Sequence, residues 1–272
     1  MEFQDLTLRF RDAAEQGDAY AQNSLGVIYS TGQGAKQDYE KAHLWYRKAA
    51  EQSYAIAQYN LAVLCEQGHG TELDIHEAIS WYRKAADQRH VRAQYRLGLI
   101  YEKGQGVPRN LKLATDWYHK AAELDNMKAQ FNLGLMFDQG RGVVADGAQA
   151  VVWYRKAAEH GHVDAQFALG LRHDCGQDVA QNPKEAFFWY RKAGDQNHAR
   201  AQFNLGLMCE FGHGTATDLM QAHRWLTLAE LHGMGKARAH KMMVEAKMSP
   251  EQRQLAIAFA TGDAKQNEVD VT

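Results

Sequence analysis

Cysteine is scarce in this chain of 272 residues. There are three, Cys65, Cys175 and Cys209, too few and too irregularly placed for a disulfide framework, so a reducing, cytoplasmic setting is the expectation. Long apolar runs are missing too. No stretch approaches the roughly 20 apolar residues of a membrane-spanning helix. The opening residues, MEFQDLTLRFRDAAEQGDAY, interleave charge with apolar side chains and do not read as a secretory signal. Nor does either charge predominate: 31 Lys and Arg against 33 Asp and Glu leave a formal −2. That balance gives no whole-protein attraction to nucleic acid or to an anionic membrane.

What the chain does have is repetition. Its six tryptophans, Trp45, Trp81, Trp117, Trp153, Trp189 and Trp225, are spaced by 36 residues throughout. Ala21, Ala57, Ala93, Ala129, Ala165 and Ala201 keep the same step; each is followed by Gln and, four residues on, by Leu. A fixed period of this size marks a stacked repeat architecture. Within one unit, Ala93, Leu97, Ile100 and Tyr101 form a helical stripe that stops at Gly104 and Gly106. A second helix is expected after Asn110, and every copy has Asp or Asn at that register (Asp38, Asp74, Asp146, Asn182, Asp218), the side chains that cap helix starts. Glu77, Gln149, Glu185 and Gln221, three positions later, complete a capping-box pattern.

The phrase WYRKAA and its variants follow in the second helix. Alanines at 42, 78, 114, 150, 186 and 222 let a neighbouring helix approach while Trp and Tyr fill the remaining volume. The phrase therefore reads as packing, completed by the adjacent repeats. The basic residues that follow Trp-Tyr have acids four positions on (Arg47/Glu51, Arg83/Asp87, Arg155/Glu159, Arg191/Asp195), which describes a solvated face of local ion pairs and not a phosphate-tracking surface.

The pattern A-Q-x-x-L-G-x-x-[YFC]-x-x-G-x-G, then D/N-x-x-x-A-x-x-W-Y-x-K-A-A, resembles the Sel-1-like repeats, relatives of the tetratricopeptide repeats. The resemblance implies an all-α fold: a right-handed α/α superhelical solenoid of six 36-residue helix-turn-helix repeats (21–56, 57–92, 93–128, 129–164, 165–200, 201–236). A cap helix at 3–20 and a terminal cap at 237–262, with Ser249 as N-cap, complete one domain over 1–262, and a disordered tail is expected at 263–272. The fifth repeat departs from the pattern, with Asp178 for the second loop glycine and His173 for the aromatic, which puts its loop in question. The family implies protein–protein interaction through a concave groove lined by first helices, and no reaction.

Other chemistry finds little footing. His69 and His213 sit in identical GHG loops, but helices stacked about 8–10 Å apart put them roughly 40 Å from each other. His160 and His162 precede a helix whose far end carries His173, Asp174 and Cys175, about 15 Å away at 1.5 Å per residue. No metal, cofactor or catalytic residue is therefore expected. Cys65 and Cys209 occupy the aromatic core register and read as small buried hydrophobes.

In related repeats a peptide carboxylate is held by first-helix residues at the position before Leu and four residues earlier. Here those pairs include Ile56/Asn60, Arg92/Arg96, Lys128/Asn132 and Arg200/Asn204. Asn60, Arg92 and Arg96 match the Asn-then-two-basic part of the tetratricopeptide carboxylate clamp, whereas Asn23 and Val27 stand where that clamp has Lys and Asn. None of these basic residues has an acid four positions on. The expected function is a non-enzymatic scaffold that binds a protein or peptide segment, acidic or carboxylate-terminated, through Asn60, Arg92, Arg96, Lys128, Asn132, Arg200 and Asn204. The alternative is a regulatory subunit or secreted bacterial effector that docks through its outer face or caps.

Overall fold

A computed structural model describes residues 2–261. Among them the regular structure is helical throughout: α1 (Glu2–Glu15), α2 (Ala19–Thr31), α3 (Tyr39–Glu51), α4 (Ala55–Gln67), α5 (Ile75–Asp87), α6 (Val91–Lys103), α7 (Leu111–Ala122), α8 (Met127–Gln139), α9 (Gly147–Glu159), α10 (Val163–Cys175), α11 (Pro183–Gly194), α12 (Ala199–Phe211), α13 (Leu219–Leu231), α14 (Lys236–Lys247) and α15 (Pro250–Thr261). They fall into two compact units divided between Val144 and Ala145. In the first, α1 to α8 each pack on the next; in the second, α9 to α13 do so, and α14 and α15 both rest on α13. The expected tail at 263–272 lies outside the described residues.

The caps form where the sequence places them. Asp38, Asp74, Asn110, Asp146, Asn182 and Asp218 each accept the backbone N–H three residues on. Gly32, Gly68, Gly104, Gly140, Gly176 and Gly212 close the first helices in the left-handed conformation. The capping box is only half made: Glu77 and Glu185 turn their carboxylates to the indole N–H of Trp81 (3.1 Å) and Trp189 (3.2 Å) instead of back to the cap. Ser249 and Gln252 do complete a reciprocal box ahead of α15.

The Trp-Tyr phrase packs as two layers. Tyr82, Tyr118, Tyr154 and Tyr190 are fully buried, and the rings of Tyr118 and Tyr190 lie against the glycine that follows the repeat leucine. A methyl group on Gly98 would come within 2.5 Å of the Tyr118 ring, and one on Gly170 within 2.6 Å of Tyr190. Trp45, Trp81, Trp117 and Trp153 sit nearer the rim under a lysine ammonium three residues on, 3.7 Å from the ring centroid for Lys84 over Trp81 and 4.1 Å for Lys120 over Trp117. The lysine of the phrase is therefore a roof for the indole.

The glutamine after each repeat alanine is the polar pin of the stack. Gln22, Gln58, Gln94, Gln130, Gln166 and Gln202 donate to the carbonyls of Ala14, Ala50, Ala86, Ala122, Ala158 and Gly194 at 2.8–3.2 Å, closing the end of the preceding helix. Their own side-chain carbonyls accept in turn from the end of the second helix of the same repeat, from Gln52, Gln88 and Gln196 at 2.8–2.9 Å. At the third register Leu124 stands where Gln is needed, and Gln94 Oε1 is left buried without a partner.

The fifth loop keeps the shape that Asp178 put in question. Asp178 adopts φ 59° itself, and Arg172 binds its carboxylate. In other repeats the second loop glycine abuts the start of the preceding second helix, as Gly70 does at Tyr39. Facing Asp178 that start is Gly147, where any side chain would overlap the carboxylate. The missing side chain has changed sides of the contact.

Candidate functional site

The first-helix face of the first unit brings Asn60, Arg92, Arg96, Lys128 and Asn132 onto α4, α6 and α8. Asn60 donates to Asn23 of α2 at 3.0 Å, and Asn132 lies beside the phenols of Tyr95 and Tyr118, where its polar side chain opposes the burial that pushes both phenols up. Arg92 and Lys128 occupy the second position of α6 and α8, are exposed, and bind no acid among the described residues.

Arg96 departs from the expectation of an uncompensated cation. Its guanidinium reaches back one repeat to Glu66, with Nε 2.9 Å from Oε2 and Nη2 2.6 Å from Oε1, and the Tyr82 hydroxyl donates to the same carboxylate at 2.8 Å. The acid lies 30 residues earlier, so a search four positions along the helix misses it. Arg96 is thus a fixed guanidinium, paired with Glu66, beside the unpaired Arg92.

Glu66 belongs to a row that the sequence reading overlooked. Glu66, Glu102, Asp138, Asp174 and Glu210 recur at the 36-residue step, each directly after the aromatic register. That periodicity was the available signal. The row receives the second-helix phenols: Tyr118 donates to Glu102 at 2.5 Å and Tyr190 lies 3.4 Å from Asp174. Where Leu226 replaces the tyrosine, Glu210 Oε2 is buried with no donor.

The outer face also differs from its expected pattern. Of the four local pairs, Arg191–Asp195 forms, at 4.0 Å. Arg47 goes instead to Glu77 of the next repeat at 2.6 Å, Arg83 to the Tyr101 hydroxyl, and Arg155 to His173 Nε2 at 3.3 Å. Contacts between repeats compete successfully with exposed pairs that contribute only a few tenths of a kcal/mol.

In the second unit Arg200 is exposed at the start of α12, and Asn204 lies beside the Tyr190 phenol, opposing the burial that pushes that phenol up. The histidines serve structure: His90, His162 and His198 cap α6, α10 and α12 through Nδ1. Burial pushes the Cys65 thiol up to about 12 and the Cys209 thiol up to about 11, while Cys175 is exposed. Among the described residues no three His, Cys, Asp or Glu side chains gather as a metal site would require, and no helix is long and apolar enough to cross a membrane.

Paired antiparallel helices in tandem, joined by glycine loops and pinned by buried glutamines, define an α-solenoid repeat protein. The Sel1 repeat model matches residues 19–54, 55–90, 91–126, 128–162, 163–198 and 199–234, and the chain belongs to the Sel1 repeat family. The matched repeats begin two residues before the repeated alanine in five of the six copies. A Sel1 repeat protein from Oxalobacter formigenes is 32% identical, with 85% of this chain and 94% of that one covered and a TM-score of 0.72. A protective antigen present in uropathogenic Escherichia coli strains, displaying an SLR fold, is 29% identical over 94% of this chain, with a TM-score of 0.59. The present chain spans 63% of that antigen's length. No curated protein matches this sequence. Sel1 repeats are in general protein-interaction scaffolds, and the family is typically non-enzymatic.

Proposed function

We propose that this protein is a non-enzymatic scaffold whose first-helix face holds an acidic or carboxylate-terminated protein segment. The observation that carries this reading is the pair Arg92 and Lys128: exposed, at the same register of consecutive first helices, and bound to no acid among the described residues. A long cation held at such a position without a partner is available for a charge-assisted hydrogen bond. Arg96 keeps a guanidinium edge beside them, its orientation fixed by Glu66. Asn60 retains its side-chain carbonyl for a peptide N–H, since its amide is given to Asn23. Arg200 and Asn204 repeat the cation–amide pair in the second unit.

The test is a panel of fluorescent peptides rich in Asp and Glu, each made with a free C-terminal carboxylate and as the C-terminal amide, measured by anisotropy. Binding that prefers the acidic sequences, and the free carboxylate among them, supports the reading. Indifference to both charges would favour docking through the outer face or the caps.

A further inference from the structure

In the acid row, the chain supplies its own strong cation at most registers. Arg96 binds Glu66 at 2.6 Å, Arg141 binds Glu102 at 2.8 Å, and Lys247 binds Glu210 at 2.7 Å. Asp138 is engaged as well. Asp174 differs. Its ionic partner is His213 at 3.4 Å, a residue type that is cationic only when protonated, on a half-exposed side chain.

The space beside Asp174 is correspondingly open. A pocket of about 310 Å³ is lined by Asp174, Asn204, Leu207, Met208, Phe211 and His213. At the Glu66 and Glu102 registers the arginine side chains themselves reach the acid. The open pocket has an acid at its edge and apolar walls in Leu207, Met208 and Phe211, the last 67% exposed. The neighbouring register shows what such a surface accepts. Lys247 places its ammonium on Glu210 and 5.3 Å from the centroid of the same Phe211 ring.

We propose that the Asp174 pocket receives a basic side chain, arginine or lysine, from a bound protein segment. The charged head would meet the Asp174 carboxylate and displace His213, while the methylene stem lies along Leu207 and Phe211, as long basic side chains do on apolar surface. The chemistry required is the one the chain already uses at Glu66, Glu102 and Glu210, supplied in trans. The proposal stands on the second unit alone and holds whether or not Arg92 and Lys128 take a carboxylate.

The experiment is a heteronuclear NMR titration of the full chain with N-acetyl-arginine-N-methylamide, which has no carboxylate, and with the neutral isostere N-acetyl-citrulline-N-methylamide. The arginine probe is expected to shift the signals of Leu207, Phe211 and His213 saturably, and the citrulline probe to leave them in place. Asp174→Asn should weaken the arginine probe at least about fivefold, the scale of one charge-assisted hydrogen bond. His213→Gln should bind as well or better, because it removes the resident competitor. Arg92→Ala/Lys128→Ala should bind the probe as wild type does, which separates this pocket from the carboxylate site. Equal response to citrulline, no saturable shift with arginine, or undiminished binding in Asp174→Asn would overturn the proposal.

Discussion

Leu124 is one side chain away from completing the glutamine ladder, and replacing it measures what the ladder contributes. At 52, 88 and 196 a glutamine donates to the pin of its own repeat, and at 232 a histidine lies 2.8 Å from Gln202 Oε1 in the same role. At 124 a half-buried leucine leaves Gln94 Oε1 orphaned. A buried acceptor without a donor costs about 1–3 kcal/mol, and a neutral hydrogen bond returns about 0.5–1.5 kcal/mol net. Leu124→Gln forfeits part of that through lost apolar contact and through ordering a longer polar side chain. The cleaner quantity is the coupling in a double-mutant cycle with Gln94→Leu, which cancels those losses. Urea unfolding followed by circular dichroism should show Leu124→Gln about 1 kcal/mol more favourable when Gln94 is present than when it is absent. A coupling within error of zero would mean that water satisfies Gln94 equally well and that the ladder adds nothing to the stack.

Two further outcomes follow from packing and burial. Trp117→Ala, at a position 8% exposed, should cost about 3–5 kcal/mol in chemical denaturation, and unchanged stability would contradict the packing role of the Trp-Tyr phrase. In thiol titration of the native protein at pH 8 with an aromatic disulfide, Cys175 should react alone, with Cys65 and Cys209 reporting only after unfolding, because both are buried and hold raised thiol pKa values. Three fast thiols would show that those two helices open readily.

The repeat, its helix pairs and its caps are legible in the sequence because they rest on short-range rules: an Asp or Asn before a second helix, a glycine after a first one, alanine at a close approach. The partnerships that tune the face are not local. Arg96 and Glu66 are 30 residues apart, as are Arg47 and Glu77; only stacking brings them together, and a reading confined to one helix pairs Arg47 with Glu51 instead. The glutamines are visible as a repeated letter, but their purpose depends on where the preceding helix ends. The Asp178 loop looked irregular because its compensation, Gly147, lies 31 residues earlier at the start of α9. The acid row could have been read from its 36-residue step, yet its meaning needed the phenols that meet it.

The most direct measurement of the scaffold reading is the salt and charge dependence of acidic-peptide binding to Arg92→Ala/Lys128→Ala. Both residues are exposed and make no ion pair among the described residues, so melting should stay within about 0.5 kcal/mol of wild type. Anisotropy with the free-carboxylate peptide should show affinity reduced at least about tenfold, or about 1.4 kcal/mol. The wild-type affinity should fall as salt rises, and that of the double variant much less, because the screened charges are gone. A double variant that folds normally, binds as tightly as wild type and keeps the same salt dependence would contradict the assignment of the segment to this face.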